Sequence, residues 1–110
     1  MTLFEKIVAR QIPADIVYED AFVVALRDIH PQAPVHLLVV PKKPIPRLSE
    51  AGDEDQLLLG RCLDAARRVA AQLGLRSYRL VMNDGEDAGQ TVPHIHFHVL
   101  GGRKFTWPPG

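Results

Sequence analysis

His94-Ile95-His96-Phe97-His98-Val99-Leu100 places three imidazoles at alternate positions with an apolar side chain between each pair. Extended backbone turns successive side chains to opposite faces, so the spacing predicts a strand over His94–Leu100 with the histidines in one row. Ile95, Phe97 and Val99 then share the other face and need a cover. Upstream, Leu59, Cys62, Leu63, Ala66, Val69, Ala70 and Leu73 recur at steps of three and four, with Arg61, Asp64, Arg67 and Arg68 largely off that stripe. This is the period of a long helix with one apolar side, and Gly74 supplies its left-handed stop. A strand with an apolar face and a helix with an apolar stripe form the nucleus of the expected fold.

The flanking segments extend it. Val35–Val40 is a nearly continuous apolar run halted by Pro41, as a buried central strand would be, and His36 is its one polar side chain. Ile16–Glu19 and Phe22–Arg27 read as a hairpin about Asp20-Ala21, and Tyr78–Asn83 as a further strand. Asp84–Gln90, with Gly85 and Gly89, reads as a loop, and the proline-rich, charged Lys42–Gly52 as a surface connection. Thr2-Leu3-Phe4-Glu5 has the form of a capping box, which opens a short helix through Leu3, Phe4, Ile7 and Val8 to Ala9, closed before Pro13. Strands on both sides of one major helix imply an α+β fold, an antiparallel or mixed sheet covered on one face. No repeat interrupts it.

The chain has 110 residues, 46% of them hydrophobic and 24% charged, which suits one folded domain over residues 1–110. Thirteen Lys plus Arg balance thirteen Asp plus Glu. That neutrality removes the basic surface of a general nucleic-acid binder, so any anionic ligand must be held locally. Cys62 is the only cysteine, which excludes internal disulfides and cysteine-cluster zinc sites and fits a reducing, cytoplasmic setting. The apolar runs are short, and Glu5, Lys6 and Arg10 charge the first turns. No signal peptide, membrane anchor or membrane partner is therefore expected.

One histidine on a strand is usually structural, but three in alternation point to chemistry. His94 and His98 would stand about 13 Å apart at their backbones, too far for all three to share one metal easily. A neighbouring pair with His36 leaves a metal site open as an alternative. An extended anionic ligand along the row explains the spacing better, because successive imidazoles then meet successive atoms of one reacting group. Imidazole is neutral near pH 7 and is a good nucleophile at phosphorus, so phosphoryl transfer fits. The central His96 is the natural attacker, with its neighbours orienting it and holding phosphoryl oxygens. Asp87-Ala88-Gly89-Gln90-Thr91, just upstream, offers backbone N–H groups and a hydroxyl to the same oxygens.

His94–Leu100 matches throughout the His-φ-His-φ-His-φ-φ signature, with φ apolar, of the histidine-triad (HIT) superfamily. Phe4-Glu5-Lys6-Ile7, Asp28 through His36, Val40-Pro41-Lys42-Lys43, Met82-Asn83-Asp84-Gly85, Gly101-Gly102-Arg103 and Trp107-Pro108-Pro109-Gly110 extend the resemblance over essentially the whole chain. They look like the histidine-triad nucleotide-binding branch. The resemblance implies a homodimer with its sheet continued across the two-fold axis. It also implies hydrolysis of the P–N bond of nucleoside 5′-phosphoramidates, chiefly of purines, with no metal or other cofactor required. Carried over position by position, His96 would be the nucleophile, His98 would contact the phosphate, His36 would complete the cluster and His94 would orient its neighbours. Asp28 would accept hydrogen bonds from the ribose hydroxyls with Ile29 packing beside the nucleoside. Asn83, Gly89, Gln90 and Thr91 would line the phosphate and sugar, and Phe4, Ile7 and Ile12 would form the slot for the base. Thr91 replaces the serine common in this branch, keeping the hydroxyl and adding a methyl group.

Two other classes compete with this reading. One is a dinucleoside polyphosphate hydrolase of the same superfamily, which the Trp-Pro-Pro-Gly ending disfavours. The other is a nucleotide- or zinc-binding regulatory module.

Overall fold

The computed structural model describes residues 1–110. Five antiparallel strands, β1 (Ile16–Glu19), β2 (Val23–Arg27), β3 (Val35–Pro41), β4 (Tyr78–Val81) and β5 (Phe97–Gly101), form one sheet in the order β1-β2-β3-β5-β4. Two helices cover it, a short α1 (Leu3–Val8) and a long α2 (Gln56–Gln72), giving the expected α+β architecture. No helix is long and apolar enough to cross a membrane.

Strand alternation divides the core in two. Val23 and Ala25 of β2, Leu37 and Val39 of β3, and Phe97 and Val99 of β5 face α2, where Cys62, Ala65, Ala66 and Val69 meet them. The small residues let the helix lie close to the sheet. On the opposite face Val24, Leu26, Leu38 and Val40 receive Phe4 and Ile7 from α1. Burying each of these Val, Leu, Ile or Phe side chains contributes about 1.5–3 kcal/mol. The second layer is smaller, and its free end forms the cleft described below.

Several boundaries differ from the sequence reading. The final strand begins at Phe97 rather than His94, because β3 cannot continue its ladder there. Pro41 has no N–H, and its carbonyl accepts from His94 Nε2 at 2.8 Å, while the Ile95 N–H turns away to the Ile45 carbonyl at 2.8 Å. β4 consequently ends at Val81, opposite His98, two residues before the expected Asn83. Phe22 belongs to the turn rather than to β2, since the Phe22 and Val23 N–H groups both donate to Asp20 Oδ1. α1 ends at Val8 with Ala9 as its cap. On α2, Leu63 and Leu73 are exposed, 49% and 37%, and the buried stripe runs instead through Cys62, Ala65, Ala66, Val69 and Ala70. The Lys42–Gly52 connection includes a 3₁₀ turn, Leu48–Glu50, and Lys43 reaches 2.6 Å to the buried Asp55 beyond it.

Gly102, just past β5, has φ +88° and lies where an added Cβ would stand 2.9 Å from Pro34 Cβ. Gly74 has φ +72° with nothing within 4 Å. Both Gly→Ala substitutions incur the left-handed backbone cost of about 1–3 kcal/mol, and only Gly102→Ala adds the collision. Urea unfolding is expected to rank Gly102→Ala as the more destabilised variant.

Candidate active site

The histidine row survives the shortened strand. His94, Ile95 and His96 lie ahead of the ladder yet keep alternating, Ile95 packing in the core under α2 while His94 and His96 sit against Phe4 of α1. The Phe4 ring meets His94 edge-on at 5.6 Å and His96 at 4.9 Å, and His96 and His98 follow at 5.1 Å. His36 on β3 joins the row from the side, 5.1 Å from His98.

Backbone groups fix the proton positions. A carbonyl oxygen only accepts, so His96, whose Nδ1 lies 2.8 Å from the His94 carbonyl, carries its proton on Nδ1. The Nε2 lone pair is left unengaged, on a ring that lines the cleft. His36 is set in the opposite sense. The Gln32 N–H donates to His36 Nδ1 at 3.0 Å, so Nε2 carries the proton and donates to His98 Nδ1 at 2.8 Å. His98 must therefore hold its own proton on Nε2. The row presents one nucleophilic nitrogen, on His96, and one N–H donor, on His98.

Burial disfavours the charged forms of His36, His94 and His98. Desolvation, with the neighbouring His96 and His36 adding to it and Asp28 opposing, pushes His98 down to about 4. Desolvation also lowers His36, against the pull of the Asp28 carboxylate 3.4 Å away, and lowers His94 against its bond to the Pro41 carbonyl. The Asp28–His36 pair is thus a carboxylate beside a neutral imidazole rather than an ion pair.

Asp28, His36 and His98 bring three ligand atoms within 4.8 Å of one another, close enough for a metal by distance alone. Protonation argues against it. A metal on His36 Nε2 requires the proton on Nδ1, where the Gln32 N–H already points.

Phe4, Ile7, Ile12, Asp28, Ile29, Thr91, His96 and His98, all expected from the sequence, line one cleft of about 390 Å³. Its inner wall is apolar, and Ile29 stands 84% exposed at the mouth. Asp28 Oδ1 accepts the His30 N–H, and Oδ2 faces His36. His36 lies behind His98, and His94 is fully buried, outside the lining. Asn83, Gly89 and Gln90 are not in the lining either. The Gln90 side chain staples its loop, accepting from the Gly85 N–H and donating to the Pro46 and Val92 carbonyls. Gly89 and Gln90 border a larger cleft of about 610 Å³ beyond the loop, which also carries Arg47, Glu50 and Glu86, meets the first at Thr91 and contains no histidine. The chemistry belongs to the smaller cleft. Leu26 and Leu38, also in its lining, were legible in principle as alternation partners of Asp28 and His36. Thr2, which bonds to His94, and the Gln32 N–H carried no such signal.

A sheet flanked by α1 and α2, with a row of imidazoles of fixed tautomer beside an apolar slot, has the form of the histidine-triad class of proteins. Residues 9–105 match the family model described as the HIT domain. An uncharacterized HIT-like protein of Synechocystis is 57% identical, over 99% of this chain and 96% of its own. The crystal structure of a HIT family hydrolase from Legionella pneumophila superposes with a TM-score of 0.97 at 49% identity, covering both chains completely. That of a histidine triad nucleotide-binding protein from Candida albicans does so at 0.84 and 27% identity, over all of this chain and 85% of the other. The chain belongs to the HIT family.

The depressed histidines make stability pH-dependent with a definite sign. Each binds a proton in the unfolded chain near its ordinary value of 6.5 but resists doing so when folded, so stability is present above that pH and lost as pH falls below it, in the case of His98 down to about 4. Each such group contributes up to about 1.4 kcal/mol per pH unit. Urea titrations between these limits should show the decline, and His98→Asn should make it shallower.

Proposed function

We propose that this protein hydrolyses the P–N bond of nucleoside 5′-monophosphoramidates, those of purines above all, through a covalent nucleotidyl-His96 intermediate, as a member of the histidine-triad nucleotide-binding branch. The observation that carries this reading is the His96 tautomer. Its Nδ1–H is held by the His94 carbonyl, so Nε2 is the ring nitrogen left to face the ligand. Relatives named as a HIT family hydrolase and a histidine triad nucleotide-binding protein support it.

In the first step His96 Nε2 forms a bond to phosphorus, and the P–N bond breaks. The amine departs with the electron pair and takes a proton from water. The imidazole becomes cationic on transfer, a charge that the Nδ1–H···O=C bond stabilises. His98 Nε2–H donates to a phosphoryl oxygen, where negative charge gathers, and the Thr91 hydroxyl serves the same group. Water then attacks phosphorus, the proton it loses neutralises the hydroxide left when the amine was protonated, the P–Nε2 bond returns its pair to His96, and a nucleoside monophosphate leaves. The base occupies the slot of Phe4, Ile7, Ile12 and Ile29, and Asp28 accepts from the ribose hydroxyls. Asn83, Gly89 and Gln90 act from behind, by shaping the loop that ends at Thr91. No metal takes part.

Two in-line displacements retain configuration at a chiral phosphorus, whereas direct attack by water inverts it. Retention is expected, in the presence of a chelator, with a labelled nucleotidyl-enzyme on acid quench that His96→Asn abolishes. Inversion, or near-normal turnover by His96→Asn, would overturn the assignment. Faster turnover of a diadenosine polyphosphate than of an adenosine phosphoramidate would move the protein to the competing enzyme class.

A homodimer belongs to the same reading. β4 is an edge strand with exposed Tyr78 and Leu80, which suits pairing with a second copy. Light scattering at micromolar concentration is expected to give twice the chain mass. A reducing cytoplasm suits Cys62, a buried thiol that desolvation pushes up to about 12.

A further inference from the structure

His94 touches no cleft surface, yet it is held at both ends. Its Nε2–H donates to the Pro41 carbonyl at 2.8 Å, so Nδ1 of the neutral ring bears a lone pair and needs a donor. That donor is the Thr2 hydroxyl, 3.0 Å away, whose own oxygen accepts the Glu5 N–H at 3.1 Å as the N-cap of α1. The chain of bonds is closed at every link, from the Glu5 N–H through Thr2 Oγ1 and the His94 ring to the end of β3. It does not stop at His94, because the carbonyl of that residue receives the Nδ1–H that sets the His96 tautomer. Two residues after Thr2, Phe4 packs on both rings.

From this continuity we infer that Thr2 is a positioning residue for the nucleophile: its hydroxyl, acting through His94, holds the His94 carbonyl where it keeps the His96 proton on Nδ1. A helix cap alone needs only an acceptor for the Glu5 N–H. Donation to His94 Nδ1 is a second task that the same hydroxyl performs. His94 is 0% exposed, so no water replaces that donor if it is lost. The ring must then tilt or change tautomer, and its carbonyl moves with it.

The inference rests on the proposed covalent mechanism, and its test separates the two. Thr2→Val keeps the shape and removes the hydroxyl, Thr2→Ser restores it, and Glu5→Ala weakens the capping box while leaving the Thr2 hydroxyl and its bond to His94 in place. Nucleotidyl-enzyme formation is followed by rapid acid quench with a saturating adenosine phosphoramidate. Thr2→Val is expected to slow this step roughly tenfold or more, with Thr2→Ser and Glu5→Ala both within about threefold of the parent. Affinity for the product monophosphate should change less than about twofold in every variant. In parallel, long-range ¹H–¹⁵N spectra of the free protein should show His96 as the Nδ1–H tautomer in the parent and a mixture in Thr2→Val. A Thr2→Val rate within threefold of the parent, a Glu5→Ala rate as low as that of Thr2→Val, or failure of Thr2→Ser to restore the rate would overturn the inference. If the parent forms no nucleotidyl-enzyme, the proposed function fails instead. The tautomer spectra then decide the role of Thr2 alone: an unchanged His96 signal in Thr2→Val overturns it.

Discussion

The bond from His94 Nε2–H to the Pro41 carbonyl governs the site as much as any side chain that faces a ligand. By occupying the last acceptor of β3 it ends the ladder with β5, and the freed backbone carries His94 and His96 out beside α1. It also commits one end of the His94 ring, which dictates what the other end must receive. Proline makes this possible, since a residue with an N–H would offer β5 a further ladder partner. A ladder-ending residue at Pro41 and a histidine at position 94 thus solve one problem between them.

Much of this was legible in the sequence. Period-two alternation placed the imidazoles on one side and Ile95, Phe97 and Val99 on the other, and that division holds even where the strand does not. Alternation reports the direction of side chains, which an extended backbone preserves with or without a ladder. What it could not report is pairing, because the ladder's end depends on Pro41 and Ile45, far away in the chain. The stripe on α2 held at Cys62, Ala66, Val69 and Ala70 but failed at Leu63 and Leu73. Leu63 outranks Ala65 by hydrophobicity, but a sheet this close to the helix accepts the smaller residue. The cleft was readable through Phe4, Ile7, Asp28 and the histidines. The tautomers were not, since they are set by backbone groups that every residue possesses.

The two layers of core carry different loads. The face under α2 is a closed cluster of small and branched side chains with no polar group among them. The face under α1 mixes apolar residues with His94, His96 and, farther along, His36 and His98. Burying His36, His94 and His96 and half-burying His98 is tolerable because each ring finds a hydrogen-bond partner, and no buried side-chain nitrogen or oxygen is left unpaired. A catalytic surface has been built into the weaker half of the core, while the stronger half secures the sheet beneath it.

The staple made by Gln90 has a kinetic side. With its amide bonded to Gly85, Pro46 and Val92, the loop that ends at Thr91 is already in its final shape before any ligand arrives. Association then requires no ordering of that segment, so the encounter proceeds as the docking of a rigid rim and the entropy of loop closure has been spent during folding.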